Sequence, residues 1–324
     1  MDRNQLSPRA PSWLPDVQVS NFARSRTNCD EDEPSSLPVM VWTHGGGYRQ
    51  GSANQYGPKY LVQKGIVVVT IQYRLGSLGF LSHGDKDSPG NAALCDQLTA
   101  LEWVKEHISA FGGDPNKVSL AGHDAGASAV MLLSQSKYGS GLFRSVVAMS
   151  GSSLSAWATE AEPSKEAGTL AKRVKCPTNN STEAVKCLKE VSAEKLVLAE
   201  SEMKVPGLQS KDAEADLTQL FSSSAPVVDG PTDFRFLPTI LQEEPKEGLE
   251  KGLIPPIPLL TGITKDETSN LFSEQQKEEI LKKIEEFPNY LNEIFLPRLV
   301  KTTKGYLRAG YLLWRASRMF DNDK

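Results

Sequence analysis

Two short stretches of this sequence hold residue types that could do chemistry together. "HGGGY", residues 44–48, ends an apolar run, and "AGHDAGA", residues 121–127, turns a glycine-flanked corner at Asp124. Glycines leave the main chain uncovered, so the N–H groups of Gly45 and Gly46 can point at a developing negative oxygen, as an oxyanion hole requires. The corner reads G-x-D-x-G where G-x-S-x-G would present a serine nucleophile on a strained strand-to-helix turn. A glycine triplet alone also serves ordinary tight turns; the conjunction is far more specific than either part. An aspartate at such a corner has two chemical readings. Its carboxylate could attack a substrate and form an ester, which a histidine-activated water must then hydrolyse. Alternatively it tolerates positive φ, stands as the N-cap of the next helix, and accepts hydrogen bonds from donors that would otherwise hold an oxyanion.

Elements able to position these residues are visible on both sides. "LPVMVWT" runs into the glycine loop, and "GIVVVTIQYRLG" is a continuous apolar run of the kind buried on both faces of a parallel sheet. "NAALCDQLTALEWVKEHISAF" follows, with Leu94, Leu98, Leu101 and Val104 at helical spacing. After the turn-rich "GGDPNK" come the strand "VSLAG", the corner, and a small-residue helix "ASAVMLLSQS". "FRSVVAMSGSS" and "IPLLTGITKDET" read as fourth and fifth strands. This alternation predicts a doubly wound α/β sheet, and with the two motifs an α/β-hydrolase fold, mostly parallel.

Residues 1–36 read as an irregular leader, 37–272 as the core with a helical insertion over about 155–225, and 273–324 as a helical tail that the pattern does not place. In the insertion, "STEAVKCLKEV" puts Val185, Leu188 and Val191 on one helix face beneath a Ser/Thr cap. In the tail, "SEQQKEEILKKIEEF" opens with a Ser273/Gln276 capping box and reads as a solvated, charge-laced helix.

Composition narrows the function classes. Net charge is −4 over 324 residues with no basic cluster, which gives no footprint for nucleic acid. No stretch has the ~20 apolar residues of a membrane span, and the first residues lack an apolar signal region. Nothing calls for a metal or a cofactor. Of the four cysteines, Cys176 and Cys187 bracket "CPTNNSTEAVKC"; the spacing suits a loop disulfide and equally allows two unlinked thiols. Within it, Asn179 and Asn180 begin overlapping N-x-Ser/Thr glycosylation acceptors. Both features fit an oxidising, extracellular compartment.

"LPVMVWTHGGGYRQGSA", "VVVTIQYRLGSLGFL", "GNAALCDQLTALEWVKEHISAFGGDPNKVSLAGHDAGA", "APVVDG" with "FLP", and "PLLTGITKDET" together resemble the type-B carboxylesterase/cholinesterase family, in family order, over roughly residues 37–272. The resemblance implies a disulfide between Cys176 and Cys187. It also implies that Glu267 holds the triad-acid position, and that Gly45, Gly46 and the Ala125 N–H hold the oxyanion-hole positions. Two departures matter. Family esterases carry serine where this chain has Asp124, and their base follows the acid in sequence, whereas His44, His83, His107 and His123 all precede Glu267. Losing the nucleophile alone lowers turnover about a millionfold in a well-studied serine hydrolase. The strands that precede "LPVMVW" in the family and the histidine loop that follows Glu267 are expected to be missing, so the chain reads as truncated at both ends.

Non-catalytic members of this family include the adhesion proteins neurotactin, neuroligin, glutactin and gliotactin, and "GHDAGA" is most similar to the neurotactin-type corner. The resemblance therefore implies a pseudo-esterase: a glycosylated, cholinesterase-like domain on the extracellular side of the plasma membrane. Its partner would be an extracellular or cell-surface protein, with a homodimer as a further form the family adopts. Competing readings are a divergent hydrolase, esterase or Asp-nucleophile type, and a small-molecule carrier using the unused gorge.

Overall fold

The structure is a computed structural model that describes residues 17–20, 36–155, 157–203, 225–229, 239–252, 256–265 and 267. Six strands form one sheet: β1 Val17–Ser20, β2 Leu37–Thr43, β3 Val67–Ile71, β4 Gly113–His123, β5 Ser145–Met149 and β6 Leu259–Gly262. Their spatial order is β1-β3-β2-β4-β5-β6. All neighbours are parallel except β1, which runs antiparallel to β3. The helices are α1 Lys59–Val62, α2 Ser77–Phe80, α3 Ala92–His107, α4 Ala125–Gln135, α5 Pro163–Arg173, α6 Ser181–Glu190, α7 Ala193–Ser201 and α8 Pro245–Glu250.

Strand β3, "VVVTI", is buried at every position, as a strand covered on both faces must be. Leu94, Leu98, Leu101 and Val104 of α3 all face the core, which also takes Val39 and Val41 of β2 and Leu120 of β4. A second, smaller core lies in the insertion, where Leu170 of α5, Leu188 of α6, Leu196 of α7 and the Cys176 side chain pack together.

Three expectations are corrected. Residues 17–20, inside the stretch read as an irregular leader, form β1 and pair with Val68–Ile71; four residues between polar segments are too short for a periodic signal. Strand β4 begins at Gly113 rather than Val118. Leu37 pairs with Gly113, and an irregularity before Val39 absorbs the extra residues. The cap of α6 is Asn180, whose Oδ1 accepts the Glu183 N–H at 3.3 Å, one residue before the predicted Ser/Thr. Cys29, which has no evident mate in the sequence, and the Ser273/Gln276 capping box with the helical tail lie outside the described residues.

Topology places the site. From β2 the chain moves to β3 on one side, while β4 pairs on the other, so the order reverses between β2 and β4. In parallel α/β sheets the crevice beyond the strand C-termini at such a reversal is where ligands bind. Thr43 at the end of β2 is level with Gly122 of β4, so the glycine loop and the Asp124 corner emerge side by side.

Candidate functional site

The corner is built from backbone in close approach. A Cβ on Gly122 would lie 2.4 Å from the main chain of Gly126, and one on Gly126 would lie 2.3 Å from the Thr43 carbonyl oxygen. Strand β4 can therefore turn straight into α4 against the end of β2 only with glycine at both places. Asp124, between them, has φ 54° and ψ −123°, a strained conformation for a residue with a side chain. Its N–H donates to the Met149 carbonyl at 2.9 Å, and its carbonyl accepts the Ser128 N–H at 3.1 Å. Ala125 is fully buried as the first residue of α4.

Although Asp124 occupies the N-cap position, its carboxylate makes no cap bond to α4. It turns instead to the "HGGGY" loop, where Oδ2 accepts the N–H of Gly46 at 2.8 Å and that of Gly47 at 3.0 Å. The sequence reading named Gly45 and Gly46 as donors. In the structure the pair that meets the carboxylate is Gly46 and Gly47, and Gly45 supplies room: a Cβ there would lie 2.8 Å from the Asp124 Cβ. Positive φ at Gly46, Gly47 and Tyr48 curls the loop so that successive N–H groups converge on one point, an anion-binding nest. Among the described residues, no histidine ring is hydrogen-bonded to this carboxylate.

The histidines nearest in sequence do other work. His44 is fully buried and stacks on Tyr73 at 4.5 Å between ring centroids, and the Tyr73 hydroxyl donates to the His44 carbonyl at 2.7 Å. Nδ1 lies 2.9 Å from the Gly45 carbonyl oxygen, which places the ring proton on that nitrogen. Burial pushes the His44 pKa down, against the opposing pull of the Gly45 carbonyl and Gln72. His123 is exposed at the end of β4. Beneath the loop, Tyr48 is fully buried and packs on Phe80; burial drives its hydroxyl far above the usual tyrosine range.

Glu267 is exposed in a turn and belongs to a second compact unit, Lys265–Lys324. Cys176 and Cys187 are joined, with their Cα atoms 5.7 Å apart. Asn179 and Asn180 are both exposed between them. Among the described residues no cluster of His, Cys, Asp or Glu could hold a metal ion, and no helix is long and apolar enough to cross a membrane.

Several residues that brace the site escaped sequence reasoning. Asn91, at φ 58°, bonds the Val227 main chain with both ends of its amide, at 2.7 and 2.9 Å. Asp229 accepts the N–H groups of Ile240 and Leu241 at 2.7 and 2.9 Å. Glu200 of α7 accepts the Ser77 N–H at 2.9 Å and pairs with Arg49 at 3.8 Å, so the insertion grips the segment just after the glycine triplet. These partners are 11 to 151 positions apart in the chain, beyond the reach of any local pattern.

The carboxylesterase family profile matches residues 17–312, which extends the resemblance beyond the 37–272 read from motifs. Neuroligin-2 of Mus musculus is 36% identical over 74% of this chain and 26% of its own length. A carboxylic ester hydrolase of Bombus ignitus is 35% identical over 72% of this chain and 39% of its own. Juvenile hormone esterase from Manduca sexta, solved with OTFP covalently attached, superposes with a TM-score of 0.69 at 32% identity, over 86% of this chain and 51% of that one. The chain thus spans about a quarter to a half of the length of these three relatives. Its parallel sheet, glycine loop and strand-to-helix corner have the α/β-hydrolase arrangement, and the chain belongs to the carboxylesterase family.

Proposed function

We propose that this chain is a catalytically silent, cholinesterase-like domain that binds a protein partner at the cell surface. The observation that carries the silence is the pair of hydrogen bonds from Gly46 and Gly47 to Asp124 Oδ2. In an esterase those donors would stabilise the oxyanion formed when a nucleophile attacks the ester carbonyl. Here a carboxylate sits on them. A substrate oxygen would have to displace two charge-assisted hydrogen bonds, each worth about 1.5–3 kcal/mol, and then develop negative charge beside the displaced carboxylate. Together these bonds set a penalty of about 3–6 kcal/mol, or roughly 10²–10⁴ in binding.

The same bonds oppose an Asp-nucleophile hydrolase. Asp124 Oδ2 occupies the donors that must serve the transition state, and among the described residues no histidine ring is hydrogen-bonded to the carboxylate, where it would activate the water for the second step. The binding role is supported by similarity to neuroligins and by the adhesion members of the family. The disulfide Cys176–Cys187 fits an oxidising compartment and supports an extracellular, glycosylated form of the chain.

The test is to incubate the purified protein with p-nitrophenyl acetate and, separately, with a phosphonate probe. No turnover above buffer and no adduct are expected. Turnover or an adduct that disappears in Asp124→Ala would sink the proposal.

A further inference from the structure

The loop between the bonded cysteines carries a motif that the elbow site leaves unused. Asn179-Asn180-Ser181-Thr182 contains two overlapping acceptors for N-linked glycan, but adjacent asparagines leave room for one bulky oligosaccharide. Asn180 caps α6 from an extended conformation, φ −141° and ψ 118°, with Oδ1 on the Glu183 N–H. That bond fixes the amide: the oxygen faces the helix and Nδ2 faces away from it. A glycosidic bond forms at Nδ2 and leaves Oδ1 an amide carbonyl, so a glycan on Asn180 keeps the cap intact.

The hydroxyl two residues on sets the choice between acceptors. For Asn180 it belongs to Thr182, whose β-branching restricts χ1 and lowers the entropy lost on presenting the hydroxyl to a transferase. For Asn179 it belongs to the freer Ser181. In the folded chain the Thr182 hydroxyl, the one the Asn180 acceptor needs, is taken. Thr182 Oγ1 donates to Asp87 Oδ2 at 2.8 Å. In the same loop Asp85 Oδ1 accepts the Asp87 and Ser88 N–H groups, each at 3.0 Å. Glycan addition therefore has to precede the docking of α6 on the 82–89 loop.

We propose that the chain carries a single N-linked glycan, on Asn180, added before the insertion closes onto that loop. This rests on the extracellular reading above. The donor is a polyprenyl-diphosphate-linked oligosaccharide: a C–N bond forms between its anomeric carbon and Nδ2, the C–O bond to the diphosphate breaks, and an amide proton is lost. A glycan there covers the start of α6 and the Asp85–Ser88 turn, and turns a protein partner to other faces of the domain.

The whole chain, fused to a secretion signal, is expressed in glycosylating cells and peptide-mapped after enzymatic deglycosylation in heavy-oxygen water, which marks the modified asparagine. The mark is expected at Asn180, retained in Asn179→Gln and Ser181→Ala and lost from that site in Thr182→Ala. The same map shows the Cys176–Cys187 linkage and so verifies entry into the oxidising compartment. A mark at Asn179, or unmodified Asn180 in chains that carry the disulfide, overturns the proposal. Because the signal is supplied, neither outcome touches the cell-surface reading, which surface labelling of cells making the natural gene product tests by itself.

Discussion

The elbow and the helical insertion are held together by different means. Around Asp124 the geometry comes from main chain packed on main chain, with Gly122, Gly126 and Gly45 leaving no room for a Cβ. In the insertion it comes from side chains: the Cys176–Cys187 bond, Thr182 on Asp87, Ser164 on the His83 carbonyl, and Glu200 on Ser77 and Arg49. A corner shaped by glycines keeps its shape whatever residue stands at its apex. The chemistry can therefore change from hydroxyl to carboxylate without the fold changing, and the strain at Asp124, about 1–3 kcal/mol, is offset by two charge-assisted hydrogen bonds. In the insertion, by contrast, the side chains are the architecture.

The most severe test of this contrast is Gly126→Ala. The new methyl would meet the carbonyl oxygens of Thr43 and His44 at 2.3 and 2.6 Å, both main-chain atoms at the end of β2, with no flexible side chain to yield. A loss of about 3 kcal/mol or more is expected, or no folded protein at all, by urea denaturation. A cooperative variant within about 1 kcal/mol of the parent would show that the corner is looser than its backbone contacts imply.

The same division governs what could be read from sequence. Glycine at fixed offsets and continuous Val/Ile runs are local signals, so β2, β3, the corner and the glycine loop were legible, and with them the position of Asp124. Which N–H groups meet the carboxylate was not, because that depends on the curl of residues 46–48 at positive φ, and the pair that meets it is Gly46 and Gly47, one position on from Gly45 and Gly46. Strand β1 was hidden because four residues cannot show a period. Glu200 on Arg49, and Asn91 on Val227, were hidden because the partners meet only after the chain folds back.

Breaking the disulfide should loosen the insertion alone. The cysteines are 11 residues apart, and closing so short a loop contributes about 2–3 kcal/mol through the unfolded chain. In Cys176→Ser/Cys187→Ser, hydrogen exchange should rise across α5, α6 and α7 while β2, β4 and α4 keep their protection. Equal loss of protection in both regions would abolish the distinction drawn between them.

Glu200→Ala should bridge the two regions at a smaller scale. Glu200 is 5% exposed, and removal of its carboxylate leaves the Ser77 N–H without that acceptor and Arg49 without that ion pair. About 2 kcal/mol is expected, as for a buried hydrogen bond to a charged group. Because Arg49 closes the glycine loop, with its N–H on the Gly46 carbonyl at 3.1 Å, faster exchange should spread from α7 into residues 46–50. Exchange confined to α7 would mean that the loop needs no help from the insertion.

The smallest effect expected is one of pH, and it belongs to the elbow side. Burial lowers the pKa of His44, so below its ordinary value of 6.5 the unfolded chain takes up a proton that the folded chain resists. The unfolded state then binds more protons, and stability, fully present above about pH 6.5, declines as pH falls toward the lowered folded value. One proton can give at most about 1.4 kcal/mol per pH unit. The slope should be a fraction of that, because the Gly45 carbonyl and Gln72 pull the pKa the other way. Comparing urea midpoints from pH 7.5 to 5.5 for the parent and His44→Phe should show the parent losing more stability than the variant. A parent that loses less stability than the variant on acidification would mean that the His44 ring accepts a proton in the folded state, and with it a charge beside the Asp124 site.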